Sequence, residues 1–159
     1  MPTMQEWLDA YGESHTNPTN KLFHWLCVPT IFVTLLGLLS LIPFSIPALE
    51  GTGWEPYIHF GTVLIIVGIV FYVRLSTVMT LGMLAVSALS LYIVKLVNLN
   101  FAENAWMVFL GGFAVAWVGQ FIGHKIEGAK PSFLDDLKFL LIGPAWLLSF
   151  IFRKLGISY

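Results

Sequence analysis

LFHWLCVPTIFVTLLGLLSLI, residues 22–42, contains no charged side chain and stops at Pro43. A helix needs about 20 apolar residues to cross the hydrocarbon core of a bilayer, roughly 30 Å thick, and this run supplies them. Three further runs follow at 57–73, 76–97 and 104–123. Pro47, Gly51 and Gly53 mark a loop after the first run. Apolar sequence resumes almost at once after the second, so residues 74–77 must turn tightly, with Ser76 as N-cap of the third helix. Asn98, Asn100 and Glu103 make the next connection. A last apolar stretch, 137–152, is short and interrupted by Gly143-Pro144, the pattern of a kinked, tilted or re-entrant segment. The expected fold is all-α: a polytopic transmembrane helical bundle of four spans plus this fifth segment. One membrane domain covers 1–159, opened by a polar interfacial segment at 1–20.

Composition agrees. Of 159 residues, 57% are hydrophobic and 11% charged, with mean hydropathy +0.81; average soluble chains carry about 25% charged residues. A net charge of -1 provides no basic field for nucleic acid, which is set aside as a partner. Cys27 is the only cysteine, so an intrachain disulfide and a cysteine-based zinc site are excluded. The polar, acidic start lacks the basic and apolar regions of a signal peptide, and uncleaved insertion is expected. With the N-terminus inside, Lys21, Arg74, Lys125, Lys130 and Lys138 fall on the cytoplasmic side and Lys95 outside, as positive-inside insertion requires.

Titratable groups in so apolar a chain face a bundle interior or a functional cavity. His15 lies in the polar run His15-Thr16-Asn17-Pro18-Thr19-Asn20, which ends a helix begun at Thr3 and starts another with Asn17 as N-cap and Pro18 in its first turn. In that second helix Asn20 and His24 share a face; on the fourth span Gln120, His124 and Glu127 share another, and Gly128 ends the helix. Four crossings return the chain to its starting side, so His15, His24, His124 and Glu127 meet at one membrane face. His59 follows one crossing and belongs to the opposite face. Singly, each histidine is more often a packing residue than a ligand. Three imidazoles and a carboxylate at one depth suit a transition metal such as iron or zinc, with Asn17, Asn20 and Gln120 as hydrogen-bonding supports around them. Asp135 and Asp136 read as helix capping, and the six tryptophans as interfacial anchors and packing.

The runs HTNPTNKLFHWLCVP, from His15 to Pro29, and QFIGHKIEGAKP, from Gln120 to Pro131, resemble the small membrane family of yeast-type 2-hydroxy fatty acid dioxygenases. The resemblance covers most of the chain. It implies an enzyme dependent on Fe(II) that uses dioxygen to shorten 2-hydroxy fatty acids by one carbon, in alpha-oxidation. It also implies histidine ligands at His15, His24 and His124; Glu127 joins the expected catalytic and metal-binding set from its place on the His124 face of the fourth span, with a water as the alternative. The setting would be an integral membrane protein of the endoplasmic reticulum or the bacterial inner membrane, its N-terminus and site on the cytoplasmic side. A carboxylate and adjacent hydroxyl offer one metal a two-point grip, the tail lying between apolar helices; Lys21, Lys125 or Lys130 could attract the carboxylate. Two other classes stand beside this one: a zinc-dependent membrane lipid hydrolase, and a transporter or scaffold without enzymatic activity, against which the one-sided clustering of polar residues argues.

Overall fold

The computed structural model describes residues 2–128 and 140–159; Lys130, Asp135, Asp136 and Lys138 lie outside them. The described residues form helices and turns, with no strand among them. Helix α1, Met4–Gly12, opens on a capping box: Thr3 Oγ1 accepts from Glu6 N, and Glu6 Oε2 accepts from Thr3 N at 2.7 Å. Its buried Met4, Leu8 and Tyr11 repeat at helical spacing and form one face. Helix α2, Pro18–Ser40, starts where the Asn17 side chain accepts from Thr19 N at 2.8 Å with Pro18 in the first turn. Helix α3 is Phe60–Val73, α4 is Thr77–Phe101, α5 is Ala105–Glu127 and α6 is Ile142–Lys154. Ser76 caps α4 through Met79 N, and Gly128, at φ 79°, closes α5.

Helices α2 and α5 form the central pair, running antiparallel at close range. An ideal Cβ on Gly37 would lie 2.2 Å from the Phe109 ring, one on Gly119 2.6 Å from Cys27 Sγ, and one on Gly123 2.4 Å from Asn20 Oδ1. Three contacts along the pair therefore depend on a missing side chain, the packing device of helices that lack a hydrophobic driving force between them. Helix α4 runs parallel to α2, tied at the far end by Asn98 Nδ2 donating to Ser40 Oγ at 3.0 Å. A 3₁₀ turn, Ala102–Asn104, with Ala102 at φ 42°, then reverses the chain into α5. A non-glycine residue is uncommon there, and the tight reversal is what holds it.

Two apolar stretches meet the length and composition needed to cross a membrane: Pro18–Ser40 and Thr77–Glu127. The second is the hairpin of α4 and α5. Helix α3 is shorter than expected from the sequence, because Pro56 sits in a 3₁₀ turn, Glu55–Tyr57, and His59 is extended, so helix begins only at Phe60. Its 14 residues span about 21 Å, less than the hydrocarbon thickness. Helix α4 instead outruns its expected end, keeping Asn98 and Asn100 helical. The 13 residues of α6, about 20 Å long, take Gly143-Pro144 into the first turn without a break. Its buried Ile142, Ala145, Trp146, Leu147 and Phe152 pack with Met4, Leu8 and Tyr11 of α1, Tyr72 of α3, and Met79 and Met83 of α4. Thus α1 and α6 close one end of the bundle, the end where α2 begins and α5 finishes.

Candidate metal centre

At that closed end lie His15, 2% exposed, His24, 1%, and His124, 5%. One ring nitrogen from each falls within 4.8 Å of the others. Three elements place them: the link between α1 and α2 carries His15, the second turn of α2 carries His24, and the last turn of α5 carries His124. Ring centroids are 4.1 Å apart for His15–His24, 5.2 Å for His15–His124 and 5.1 Å for His24–His124.

The hydrogen bonds decide which nitrogens face inward. His15 Nδ1 is 2.5 Å from Tyr11 O, and His24 Nδ1 is 3.0 Å from Asn20 O. A carbonyl oxygen only accepts, so both Nδ1 atoms carry a proton and Nε2 is the nitrogen each ring turns inward. Those two Nε2 atoms are 2.7 Å apart. Two lone pairs at that distance repel unless a cation or proton lies between them. Backbone carbonyls fixing the outer nitrogens of converging imidazoles are the usual support of histidine ligands, and the donor set fits a transition ion.

Glu127 stands apart from the three. Its Oε1 accepts from Thr16 N at 2.8 Å, Thr16 Oγ1 at 2.5 Å and Asn17 N at 3.1 Å, while Oε2 accepts from Asn17 N at 2.9 Å and Asn20 Nδ2 at 3.0 Å. Burial alone would push its carboxyl up, but the Thr16, Asn17 and Asn20 donors outweigh it and hold the group down at about 2. The carboxylate thus bolts the His15-bearing link onto the end of α5. Asn17 serves as N-cap and Asn20 reaches Glu127, whereas Gln120 is buried with its Oε1 unpaired among the described residues. His59 caps the start of α3 beside Gly61 and Leu36 O, twelve residues along α2 from His24, and takes no part in the cluster.

Two aromatic residues complete the walls. The Tyr11 ring stacks on His15 at 4.3 Å, and Trp146 lies 5.3 Å from His15 and 6.4 Å from His24. Tyr11 is legible in hindsight as the residue one helical turn before His15. Trp146, only 3% exposed, packs in the core as the bundle-packing expectation allows and also walls the centre, while Trp54 is 62% exposed. Outside this wall a polar cavity of about 350 Å³ opens, lined in part by His15, Lys21, Trp146 and Arg153, with Asp9 and Glu13 also on it.

Fold and site together define an all-helical, strongly apolar protein with a buried three-histidine centre able to hold a metal ion. The chain belongs to the family described as 2-hydroxy-palmitic acid dioxygenase Mpo1-like, which it matches over residues 1–155. Among curated relatives it is similar to the 2-hydroxy-palmitic acid dioxygenase MPO1 of Saccharomyces cerevisiae, 28% identical over 153 residues that cover 94% of this chain and 79% of the yeast protein. No solved structure matches.

Proposed function

We propose that this protein is a membrane-embedded, Fe(II)-dependent dioxygenase that shortens 2-hydroxy fatty acids by one carbon. The observation that carries this reading is the convergence of the His15 and His24 Nε2 atoms, at 2.7 Å, beside His124 in a chain of this family. Iron, when bound by these three histidines, would supply redox chemistry with dioxygen and a two-point grip on the substrate's carboxylate and hydroxyl. The protein's own part is preparation. Tyr11 O and Asn20 O hold the Nδ1 protons outward, so the ligand lone pairs need no reorientation. Tyr11 and Trp146 keep bulk water from the rings, and Lys21 and Arg153 line the polar cavity on the side from which a carboxylate would approach. Glu127 acts through Thr16 and Asn17 as a positioning residue, in place of the ligand role expected for it.

The same reading takes the chain as one membrane domain with four crossings, α2, α3, α4 and α5. Three observations support it. The loop after α2 and the α4–α5 turn lie at one end, the centre lies at the other, and Lys21, Arg74 and Lys125 sit at the centre's end against Lys95 at the far one. By the positive-inside tendency the centre is cytoplasmic, in a bacterial inner membrane or the endoplasmic reticulum according to source.

Three histidines also suit zinc and a lipid hydrolase. Metal analysis of detergent-purified protein separates the two, with oxygen uptake followed on adding 2-hydroxypalmitate. About one iron per chain, lost in His15→Ala, His24→Ala and His124→Ala along with oxygen uptake, is the expected result. Zinc without oxygen uptake would favour the hydrolase, and metal retained in all three variants would remove the histidines from the centre.

A further inference from the structure

A second cavity touches the centre from the apolar side. It holds about 40 Å³ and is lined by Tyr11, whose ring stacks on His15, with Val28, Phe32, Gln120, Gly143 and Pro144 among its other walls. Phe32 and Pro144 also line a larger groove of about 250 Å³ between α2, α4 and α6. Val33, Val86, Ser90 and Leu147 line that groove, and Leu89, 61% exposed, and Ile151, 43% exposed, stand on its outer rim. The two spaces therefore share the walls Phe32 and Pro144, and together they extend from Tyr11 and Gln120, which flank the centre, to the apolar outer surface. At the inner end Gln120 is only 5% exposed and its Oε1 has no hydrogen-bond partner among the described residues. A buried amide oxygen left without a partner is costly in so apolar a setting. It offers an acceptor to a hydroxyl donor that enters the cavity.

We infer that the cavity and groove form the binding site for the acyl tail of a 2-hydroxy fatty acid, with Gln120 Oε1 accepting from the 2-hydroxyl. This rests on the dioxygenase reading for its substrate class. The geometry accounts for an amphiphile's orientation: the polar cavity that holds Lys21 and Arg153 is lined by His15, and the apolar cavity is lined by the Tyr11 ring stacked on His15, so the carboxylate takes the first and the tail the second. It also accounts for selection. An acid without the hydroxyl would leave Gln120 unpaired, and a site built around a hydrogen bond discriminates more strongly against its absence than an apolar pocket discriminates between chain lengths. The groove's open rim lets the tail slide in sideways from surrounding lipid.

The test is equilibrium binding in detergent without oxygen, followed by quenching of tryptophan fluorescence, since Trp117 lines the cavity and Trp25 the groove. The probes are 2-hydroxypalmitate, palmitate and 2-hydroxyoctanoate. Wild type should bind 2-hydroxypalmitate at least tenfold tighter than palmitate, and Gln120→Leu should lower that ratio at least fivefold, leaving only the preference that the metal's own grip on the hydroxyl supplies. Ser90→Phe, which fills the groove, should weaken 2-hydroxypalmitate at least tenfold more than 2-hydroxyoctanoate. If Ser90→Phe does not fold, Val33→Trp fills the same space from the opposite wall. A hydroxyl preference undiminished in Gln120→Leu, or a groove variant that weakens both chain lengths alike, overturns the assignment. Failure of the dioxygenase reading is seen separately: hydroxyl-dependent and length-dependent binding by a protein that consumes no oxygen keeps the binding site and discards the reaction.

Discussion

Glu127 accepts from four donors on a segment more than a hundred residues upstream. Hydrogen bonds to a charged acceptor are each worth about 1.5–3 kcal/mol, less where water can replace them. Because this site is half-exposed, Glu127→Ala is expected to lower stability by about 1–3 kcal/mol, read as a lower thermal midpoint by circular dichroism, and to weaken metal binding by loosening His15. The pH dependence has a definite sign. A carboxyl held at about 2 when folded and near its ordinary value when unfolded stabilises the fold fully above roughly pH 4.5. That contribution is lost as pH falls toward 2. The acid limb of a stability profile should therefore flatten in Glu127→Gln, and an unchanged limb would remove Glu127 from this role. At this scale the sequence is informative wherever a residue acts on its neighbours: Asn17, Ser76 and Gly128 cap helices because of what lies within four positions of them. The hydrogen bonds of Glu127 were not readable, since a carboxylate near three histidines invites a ligand assignment and only the fold brings the amides of Thr16 and Asn17 to it.

Helix pairs depend on which glycines face a neighbour. Gly37→Ala and Gly123→Ala each drive a methyl group into the α2–α5 contact, against Phe109 and Asn20 respectively. Each is expected to destabilise by about 1–3 kcal/mol, and Gly123→Ala should also reduce metal content, because it separates the helices that carry His24 and His124. Gly111, in the same helix, has nothing within 4 Å of its Cβ position. Gly111→Ala should be neutral or stabilising by about 0.5–1 kcal/mol. Thermal unfolding of the three variants checks the contrast, and equal effects would deny that the glycines mark the interface. The apolar runs made the existence of these helices legible from composition alone. Their ends were less so: an uncharged run does not disclose that Pro56 and an extended His59 delay α3, or that Asn98 finds Ser40 and keeps α4 helical.

For the whole molecule, the four crossings proposed above would place Thr16 and Gly128 on one side and Ser45 and Glu103 on the other. Single-cysteine variants at these positions, made in a Cys27→Ser background, should divide into those pairs when labelled by a membrane-impermeant thiol reagent in sealed vesicles of known orientation. Thr16 and Gly128 labelling from opposite sides would refute the topology. Metal should also act on the molecule as a whole, since His15, His24 and His124 join the α1–α2 link to the end of α5. Chelation is expected to lower the thermal midpoint, and restoring Fe(II) should recover it, because a ligand that binds only the folded state stabilises that state. An unchanged midpoint would argue against a metal bridging these elements. The meeting of His15 and His24 with His124 was legible in the sequence from the even number of apolar runs between them. The lid was not, because α1 and α6 are distant in sequence and each resembles an ordinary interfacial segment alone.

The third imidazole arrives late. His15 and His24 emerge near the beginning of synthesis, yet His124 follows a hundred residues later and Trp146 later still. A nascent chain can insert α2 and begin its bundle with only two ring nitrogens on offer, too few for the centre described above. On the function proposed above, metal capture would then report that translation has passed the fifth helix, and an interrupted product would lack the third ligand and with it the means to hold an ion in an unfinished and unwalled site.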